Sequence, residues 1–291
     1  MQNYLQKNAR KKLSAAIAAA TLIFAAAVLA VYAVLSKTHG YMQIYTDASA
    51  PAASFYETPY KQAENIDARA DDKMKKMNNS AKNNAKNDIS VSKNENMPAK
   101  CESVLVLTDT DGVKEIPLEE YVRGCVFGEM PLTFEPQALM AQCVAARTFA
   151  VRQALGMSKH VNADVCTSPA CCQNYILPES RTVGEEELKK LNDAVNATRG
   201  IIAVYEGEPI EAVYHASSGS GTLNSEDVWG GKVEYLRAVK APDGEDAIAV
   251  SGMGHRVGMS QHGANLLAKE GLGYTEILKY YYSGISFGFA K

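Results

Sequence analysis

The stretch PQALMAQCVAARTFAVRQAL, running from Pro136 to Leu155, has the clearest structural pattern in the chain. Proline in the first turn and Gly156 just beyond the end are typical of helix boundaries, so we predict a helix over 136–155. Four apolar residues at helical spacing mark its buried face: Met140, Val144, Val151 and Leu155. Arg147 falls on the same face. A buried guanidinium needs a carboxylate, carbonyl groups or a ligand, so a buried ion pair and a substrate clamp both stay open.

Just before this helix, Gly128-Glu129-Met130-Pro131 places one carboxyl group in an otherwise apolar segment. Burial disfavours the charged form of a carboxyl group, so Glu129 can remain protonated near neutral pH and act as a general acid. The alternative is that Glu129 lies in the first turn of the following helix and only stabilises its N-terminus.

The 291 residues divide into four predicted parts. Residues 1–12 form a basic cytoplasmic N-terminus, and residues 13–35 carry no charge and are long enough for a single transmembrane signal-anchor helix. The apolar run is too long for a cleaved signal peptide. Residues 36–100 are rich in Asn, Lys, Asp and Ser, which predicts a flexible linker, and residues 101–291 have the composition of a folded domain outside the membrane. A net charge of −3 with scattered basic residues does not favour a nucleic-acid partner.

Within 101–291 the patterns mix strands and helices without regular alternation, which predicts a single α+β domain. The predicted strands are residues 103–107, 113–116, 201–205 and 210–215, the last two forming a hairpin. The further predicted helices are residues 118–125, 185–198, 263–269 and 275–281.

Four potential metal ligands lie within 13 residues: His160, Cys166, Cys171 and Cys172. Three thiolates and an imidazole favour a structural, tetrahedral Zn²⁺ site. Outside the membrane a disulfide between Cys166 and Cys171 or Cys172 competes with this interpretation, as do free thiols. With four protein ligands the site would be closed, and it would hold the loop that leads to Gln173 and Tyr175.

Several segments in one order together resemble the stage II sporulation protein D family of membrane-anchored lytic transglycosylases. The matching segments are residues 128–131 (GEMP), 138–148 (ALMAQCVAART), 172–175 (CQNY), 214–219 (YHASSG), 225–230 (SEDVWG), 234–237 (EYLR) and 254–264 (GHRVGMSQHGA). The resemblance covers nearly all of residues 101–291.

The resemblance implies roles for individual residues. Glu129 matches the catalytic acid/base, while Arg147, Tyr235 and Arg237 match further active-site positions. Substrate-binding residues are expected in the matching segments: Gln173, Tyr175, Ser217, Ser218, Trp229, His255 and Gln261. The Cys and His spacing is similar to a zinc site of some members, although a histidine there takes the place of Cys171. The segment 243–253 is shorter than in many members, which implies a reshaped groove.

The implied function is cleavage of the MurNAc–GlcNAc bond of peptidoglycan, with a 1,6-anhydro product, during engulfment in sporulation. The expected partners are glycan strands stripped of stem peptides and a peptidoglycan amidase, and the implied location is the mother-cell membrane. A glycosidase that uses water needs a second carboxylate, for which Glu226 and Asp227 are the candidates. Two other classes stay open: a non-catalytic glycan-binding module that enhances an amidase, and a zinc hydrolase.

Overall fold

The computed structural model describes residues 101–219, 221–240, 242 and 254–290. The predicted cytoplasmic segment, anchor helix and linker, residues 1–100, lie outside these ranges, as does the short segment 243–253. Across the described ranges no helix combines the length and apolar character that crossing a bilayer requires. The mixture of eight strands with helices in these ranges confirms the predicted α+β class.

The described chain begins with an antiparallel pair, β1 (Ser103–Thr108) and β2 (Gly112–Pro117), as the sequence predicts. β1 alternates buried and outward residues, with Val104 and Val106 facing the core. A third short strand, β3 (Val165–Cys166), pairs parallel with the other edge of β1. Helix α1 (Leu118–Glu129) starts directly after Pro117 and runs four residues further than predicted, so it includes Glu129.

Helix α2 (Pro136–Arg152) lies at the centre and packs against α1, later helices and the second sheet. Five of its twelve buried residues are alanines, whose small side chains let several neighbours approach the backbone closely. It is therefore buried on nearly all sides rather than along one stripe, and Met140 and Leu155 are only partly buried. The chain continues after Arg152 as a single wider helical turn, Gln153–Met157, in which Gly156 has a φ of +98°.

Helix α3 (Glu185–Ala197) leads into the second sheet, which has the order β5-β4-β8. β4 (Ile201–Tyr205) lies between β5 (Glu208–Pro209) and the C-terminal β8 (Ser286–Phe289). The predicted hairpin strand over residues 210–215 is wrong. The Val213 amide donates to the carbonyl of Glu211, which turns the chain away from β4 after a very short pairing.

The chain beyond that turn forms β6 (Tyr214–His215), which pairs parallel with β7 (Met259–Ser260). A short helix, α4 (Ser225–Trp229), lies between these two strands in sequence. The domain ends with α5 (Gln261–Lys269) and α6 (Tyr274–Tyr281), both close to their predicted bounds. This parallel pairing brings segments about 45 residues apart in sequence to one site.

Candidate active site

Glu129 is the last residue of α1, and six residues separate it from the start of α2. It therefore cannot stabilise the N-terminus of α2, and that alternative is wrong. Instead it lies at the negative end of the α1 dipole, where a carboxylate is disfavoured. Burial among apolar residues raises the pKa of Glu129, and the hydrogen bonds from Asn174 and Tyr214 oppose only part of this rise.

The segment after the cysteines closes directly over the end of α1. The backbone N–H of Asn174 donates to Glu129 Oε1 at 2.6 Å, and the Asn174 side-chain amide donates to the carbonyl of Gly128 at 2.8 Å. A Cβ at position 128 would collide with the carbonyl oxygen of Asn174, so only glycine permits this approach. Likewise, a Cβ at position 124 would collide with the ring of Tyr175. This ring also stacks on Tyr121, with ring centroids 5.4 Å apart.

Gln173 and Tyr214 complete the surroundings of the carboxyl group. The Tyr214 hydroxyl donates to Gln173 Oε1 at 2.9 Å, and its proximity to Glu129 lowers the pKa of that carboxyl group. The amide nitrogen of Gln173 donates to the carbonyl oxygen of Ala146 in α2 at 3.3 Å. Gln173 is only 1% exposed. Both polar atoms of the Gln173 side-chain amide therefore have hydrogen-bond partners inside the protein.

The four predicted metal ligands do converge. The Nε2 atom of His160 lies 3.3 Å from Cys172 Sγ and 3.7 Å from Cys171 Sγ, and all four ligand atoms, including that of Cys166, lie within 4.8 Å of one another. A tetrahedral Zn²⁺ ion with Zn–S of about 2.3 Å and Zn–N of about 2.0–2.1 Å would place its ligand atoms about 3.5–3.8 Å apart. The cluster therefore has the size and donor set of such a site.

The backbone explains how two adjacent cysteines reach one point. The amides of Cys171 and Cys172 both donate to the carbonyl of Ser168, at 3.0 and 2.9 Å, which makes a sharp turn. Cys166 is held by the β3 pairing with β1. All six cysteines of the chain are free thiols in this structure. The next three residues are the ones that close over Glu129, so the cluster lies directly before the segment that covers this carboxyl group.

Arg147 faces away from Glu129. Its guanidinium has no exposed surface and makes a bidentate ion pair with Glu119 of α1, with N–O distances of 2.9 and 2.6 Å. The remaining nitrogen donates to the carbonyls of Ile201 at 3.1 Å and Cys143 at 3.4 Å. Of the two accounts left open by the sequence, this geometry is that of the buried ion pair. Glu119 also accepts a hydrogen bond from the Gly200 amide, at 3.0 Å.

Tyr235 and Arg237 lie in the loop after α4. The Tyr235 hydroxyl accepts a hydrogen bond from the Glu211 amide at 2.8 Å, and its ring packs on Tyr205. Arg237 makes a bidentate ion pair with Glu226, with N–O distances of 2.6 and 2.5 Å, and this lowers the pKa of Glu226 to about 2. The other candidate second carboxylate, Asp227, accepts from the Asn224 side chain at 2.8 Å. Both acids are thus engaged within their own loop.

Trp229, His255 and His215 form an aromatic row, with successive ring centroids 5.1 and 5.7 Å apart. His255 is hydrogen-bonded to the backbone of Tyr214 in β6. The aromatic row therefore lies next to this strand. Burial lowers the pKa of His255 to about 4 and that of His215 to about 3. Both imidazoles are therefore neutral at physiological pH.

The remaining predicted substrate-binding residues surround the β6–β7 pair. Ser217 and Ser218 follow β6 and are buried, as is Gln261 at the start of α5. The Gln261 side chain approaches that of Gln142, with 3.5 Å between Nε2 and Oε1. These residues are brought to the same strand pair that holds Tyr214.

Sequence reasoning missed the roles of Asn174, Tyr214 and Glu119 in these contacts. The signal for Asn174 was its place between two residues already assigned to the site. Tyr214 carries no such signal, because nothing in the sequence shows that β6 passes beside the end of α1. In the sequence, Glu119 has only the pattern of an acidic residue in the first turn of a helix, where it would stabilise the helix dipole.

The fold and site define a class of protein: an α+β domain with one half-buried carboxyl group at a helix end, covered by a segment that follows a cluster of cysteines and histidine. A family model described as stage II sporulation protein matches residues 107–205. The stage II sporulation protein D of Bacillus subtilis (strain 168) is 32% identical over 261 aligned residues, covering 61% of this chain and 76% of that protein. The protein of that name from Bacillus amyloliquefaciens is 30% identical with the same coverage.

The chain therefore belongs to the stage II sporulation protein D family, a family of sporulation proteins. It is also similar to the amidase enhancer of Bacillus subtilis (strain 168), with 32% identity over 119 residues. That match covers 41% of this chain and 15% of the amidase enhancer.

Proposed function

We propose that the protein is a lytic transglycosylase that cleaves the MurNAc–GlcNAc bond of peptidoglycan glycan strands during engulfment. The observation that carries this proposal is the position of Glu129, whose burial at the C-terminal end of α1 raises its pKa and so favours a neutral acid. A neutral carboxyl group can donate a proton to the glycosidic oxygen as an oxocarbenium-like transition state forms.

The second half of the reaction needs no further acid. After donating its proton, Glu129 is a carboxylate and can take the proton of the muramyl 6-hydroxyl as that oxygen attacks the anomeric carbon. A 1,6-anhydro ring forms, the bond to the leaving sugar breaks, and no water is consumed. Hydrolysis would instead require a second carboxylate to activate water or trap the sugar. The contacts of Glu226 and Asp227 favour formation of the anhydro ring over hydrolysis, because each of these carboxylates is engaged by a side chain of its own loop.

The cluster of His160, Cys166, Cys171 and Cys172 would hold Zn²⁺ in this proposal. An ion there would fix the active-site segment, and with four protein ligands it would leave no position for water, which disfavours a zinc hydrolase. Elemental analysis of the purified chain should find about one zinc per chain. A value under about half an equivalent would count against the ion.

The test of catalysis uses purified glycan strands stripped of stem peptides, incubated with the purified chain. The proposal expects products whose ends are lighter by one water than a reducing sugar, measured by mass spectrometry. The Glu129→Gln variant should lose this activity by about a thousandfold or more, since general acid and base steps are both removed. Glu120→Gln, an exposed position on the same helix, is the matched control.

Other products would point to other functions. Reducing ends would mean hydrolysis. Strands that are bound but left intact, equally by the wild-type protein and Glu129→Gln, would favour a glycan-binding module, the function suggested by the similarity to an amidase enhancer. In the proposed setting the protein is anchored in the mother-cell membrane by residues 13–35, and a peptidoglycan amidase supplies the stripped strands.

A further inference from the structure

Asn174 contacts the end of α1 at two points. Its side-chain Nδ2 donates to the carbonyl of Gly128 at 2.8 Å, and its backbone N–H donates to Glu129 Oε1 at 2.6 Å. The last carbonyl groups of a helix have no partner within the helix, so the first contact supplies one for Gly128. The second contact reaches the carboxyl group that the proposed reaction uses. One residue of a distant segment therefore completes the helix end and also binds the acid.

The backbone contact distinguishes the two oxygens of Glu129. An N–H group can only donate, so Oε1 must present a lone pair to it. In a neutral carboxyl group the carbonyl oxygen is the better acceptor, and the proton is then carried by the other oxygen, Oε2. The side-chain bond from Asn174 to Gly128 restrains the segment against α1 and so maintains this arrangement. The orientation of the acid is thus set by the fold.

We propose that Asn174 is a positioning residue for the acid, which keeps Oε1 of Glu129 turned toward its own backbone so that Oε2 gives the proton to the glycosidic oxygen. After this transfer the N–H stabilises the new carboxylate, because hydrogen bonds to a charged acceptor are stronger. Oε2 then takes the proton of the muramyl 6-hydroxyl as that oxygen bonds to the anomeric carbon. One oxygen serves both steps, and the acid is restored. The inference rests on the proposed role of Glu129.

The other ionisable groups beside this carboxyl group stay neutral while it titrates. They are Tyr214 of β6 and Cys125, which lies one turn earlier on α1. Burial raises the pKa of both groups well above their ordinary values. Ionisation of Glu129 is therefore the event to which the N–H of Asn174 responds at neutral pH and below.

The first test leaves Asn174 unchanged. In nitrogen-15 NMR of the full chain, the amide proton of Asn174 should shift with pH, and the midpoint should equal that of the Glu129 carboxyl carbon in carbon-13 NMR. The Glu129→Gln variant identifies the carboxyl resonance, and in it the Asn174 amide should no longer titrate. An Asn174 amide that does not follow the ionisation of Glu129 would overturn the inference.

The second test removes the side-chain bond with Asn174→Ala. We expect the pKa of Glu129 to rise by about half a unit or more, because the loosened N–H stabilises the carboxylate less. Glycan cleavage should fall by about tenfold in kcat with little change in KM, since a misdirected acid weakens the transition state and not substrate binding. An unchanged or lowered pKa, or a loss confined to KM, would contradict the positioning role.

Asn265→Ala is the matched control. Asn265 also joins a helix end to a distant segment, since its side-chain oxygen accepts from the Glu135 amide at the start of α2 at 2.8 Å. The control should lower the melting temperature by a similar amount and leave the titration of Glu129 unchanged. An equal rise of the Glu129 pKa in both variants would show a general effect of loosening and overturn the inference. If thermal melting shows that Asn174→Ala does not fold, Asn174→Leu takes its place.

Titration and cleavage separate this inference from the proposed function. If the wild-type protein forms anhydro products but Asn174→Ala changes neither the Glu129 titration nor kcat, the function stands and the positioning role fails. If both titrations behave as expected and no protein cuts strands, Asn174 holds the carboxyl group as inferred and the proposed function fails.

Discussion

At the residue scale, two features of the surroundings of Glu129 favour its neutral form. Its side chain is half-buried, and it lies at the negative end of a helix. Because the folded state binds this proton more tightly than the unfolded state, folding stability falls as pH rises from the ordinary glutamate pKa through the raised one.

Glu129→Gln should therefore be more stable than the wild-type protein at pH 8. A glutamine side chain can accept from the Asn174 amide, as the carboxyl group does, but it never ionises. The stability difference should shrink below pH 4, where the wild-type carboxyl group is protonated in both states. Urea unfolding at pH 4 and pH 8 measures this, with Glu120→Gln as the exposed control. A variant that is less stable than wild type at pH 8 would contradict the neutral acid.

The buried pair of Arg147 and Glu119 leads to a prediction about stability. Arg147→Met leaves a largely buried carboxylate without its partner, and should lower the free energy of unfolding by about 3–5 kcal/mol. The double variant Glu119→Leu, Arg147→Met should recover most of this loss, because no charge is then left unpaired. Chemical denaturation of the two variants gives both values. Equal losses in the single and double variants would show that the ion pair is not the cause.

At the element scale, the site depends on how closely the segment 173–175 approaches the last turn of α1. Glycine at two positions of that helix removes the side chains that would hold the segment away. The positions lie four residues apart, so they share one face of α1. Glu129 follows Gly128 at the end of this helix, and the backbone N–H of Asn174 reaches its carboxyl group.

Gly128→Ala should reduce glycan cleavage more than it reduces the stability of the fold. The added methyl group meets the backbone carbonyl of Asn174, which cannot move aside without breaking the 2.6 Å hydrogen bond to Glu129. We expect glycan cleavage to fall by about tenfold or more, with a loss of about 1–3 kcal/mol in stability. Glu120→Ala, on the exposed side of α1, controls for alanine in this helix. Full activity in Gly128→Ala would show that the close approach is dispensable.

At the scale of the whole molecule, α2 connects the parts of the site. Its Ala146 carbonyl supports Gln173, its Arg147 holds α1 and β4, and its N-terminal end is approached by Asn265 of α5, which accepts from the Glu135 amide at 2.8 Å. With the proposed zinc bound, the cysteine cluster would add a second fixed point at the start of the segment that covers Glu129. Rigid support from two sides is what an acid of defined orientation needs.

Removal of the proposed zinc should affect stability and activity together. Cys172→Ser, or treatment of the wild-type chain with a strong chelator, would release residues 160–172 and with them Gln173 and Asn174. We expect the melting temperature to fall by roughly 10 °C and cleavage to fall in parallel. Cys101→Ser removes a cysteine outside the cluster and is the control. A stripped protein with an unchanged melting temperature would contradict a structural role for the ion.

Much of the fold could be predicted because local patterns agree with it. The boundaries of α3, α5 and α6 lie within two residues of those predicted, since their apolar spacing and flanking glycines act locally. The prediction of a hairpin strand over residues 210–215 was wrong because β6 pairs with β7, a strand from a distant part of the sequence. Burial of α2 on all sides was underestimated, since alanine gives little signal in an apolar pattern.

The sequence by itself determined the α+β class, the carboxyl group within an apolar segment at position 129 and the four potential metal ligands that cluster. Each depends on residue types and on spacing within one segment. Only the tertiary structure decided which partner each polar group meets: Glu119 for Arg147, Glu226 for Arg237, and Tyr214 with Asn174 for Glu129. The physical reason is that a buried polar group must be satisfied by whatever packing brings to it, and packing joins segments whose separation in sequence carries no signal.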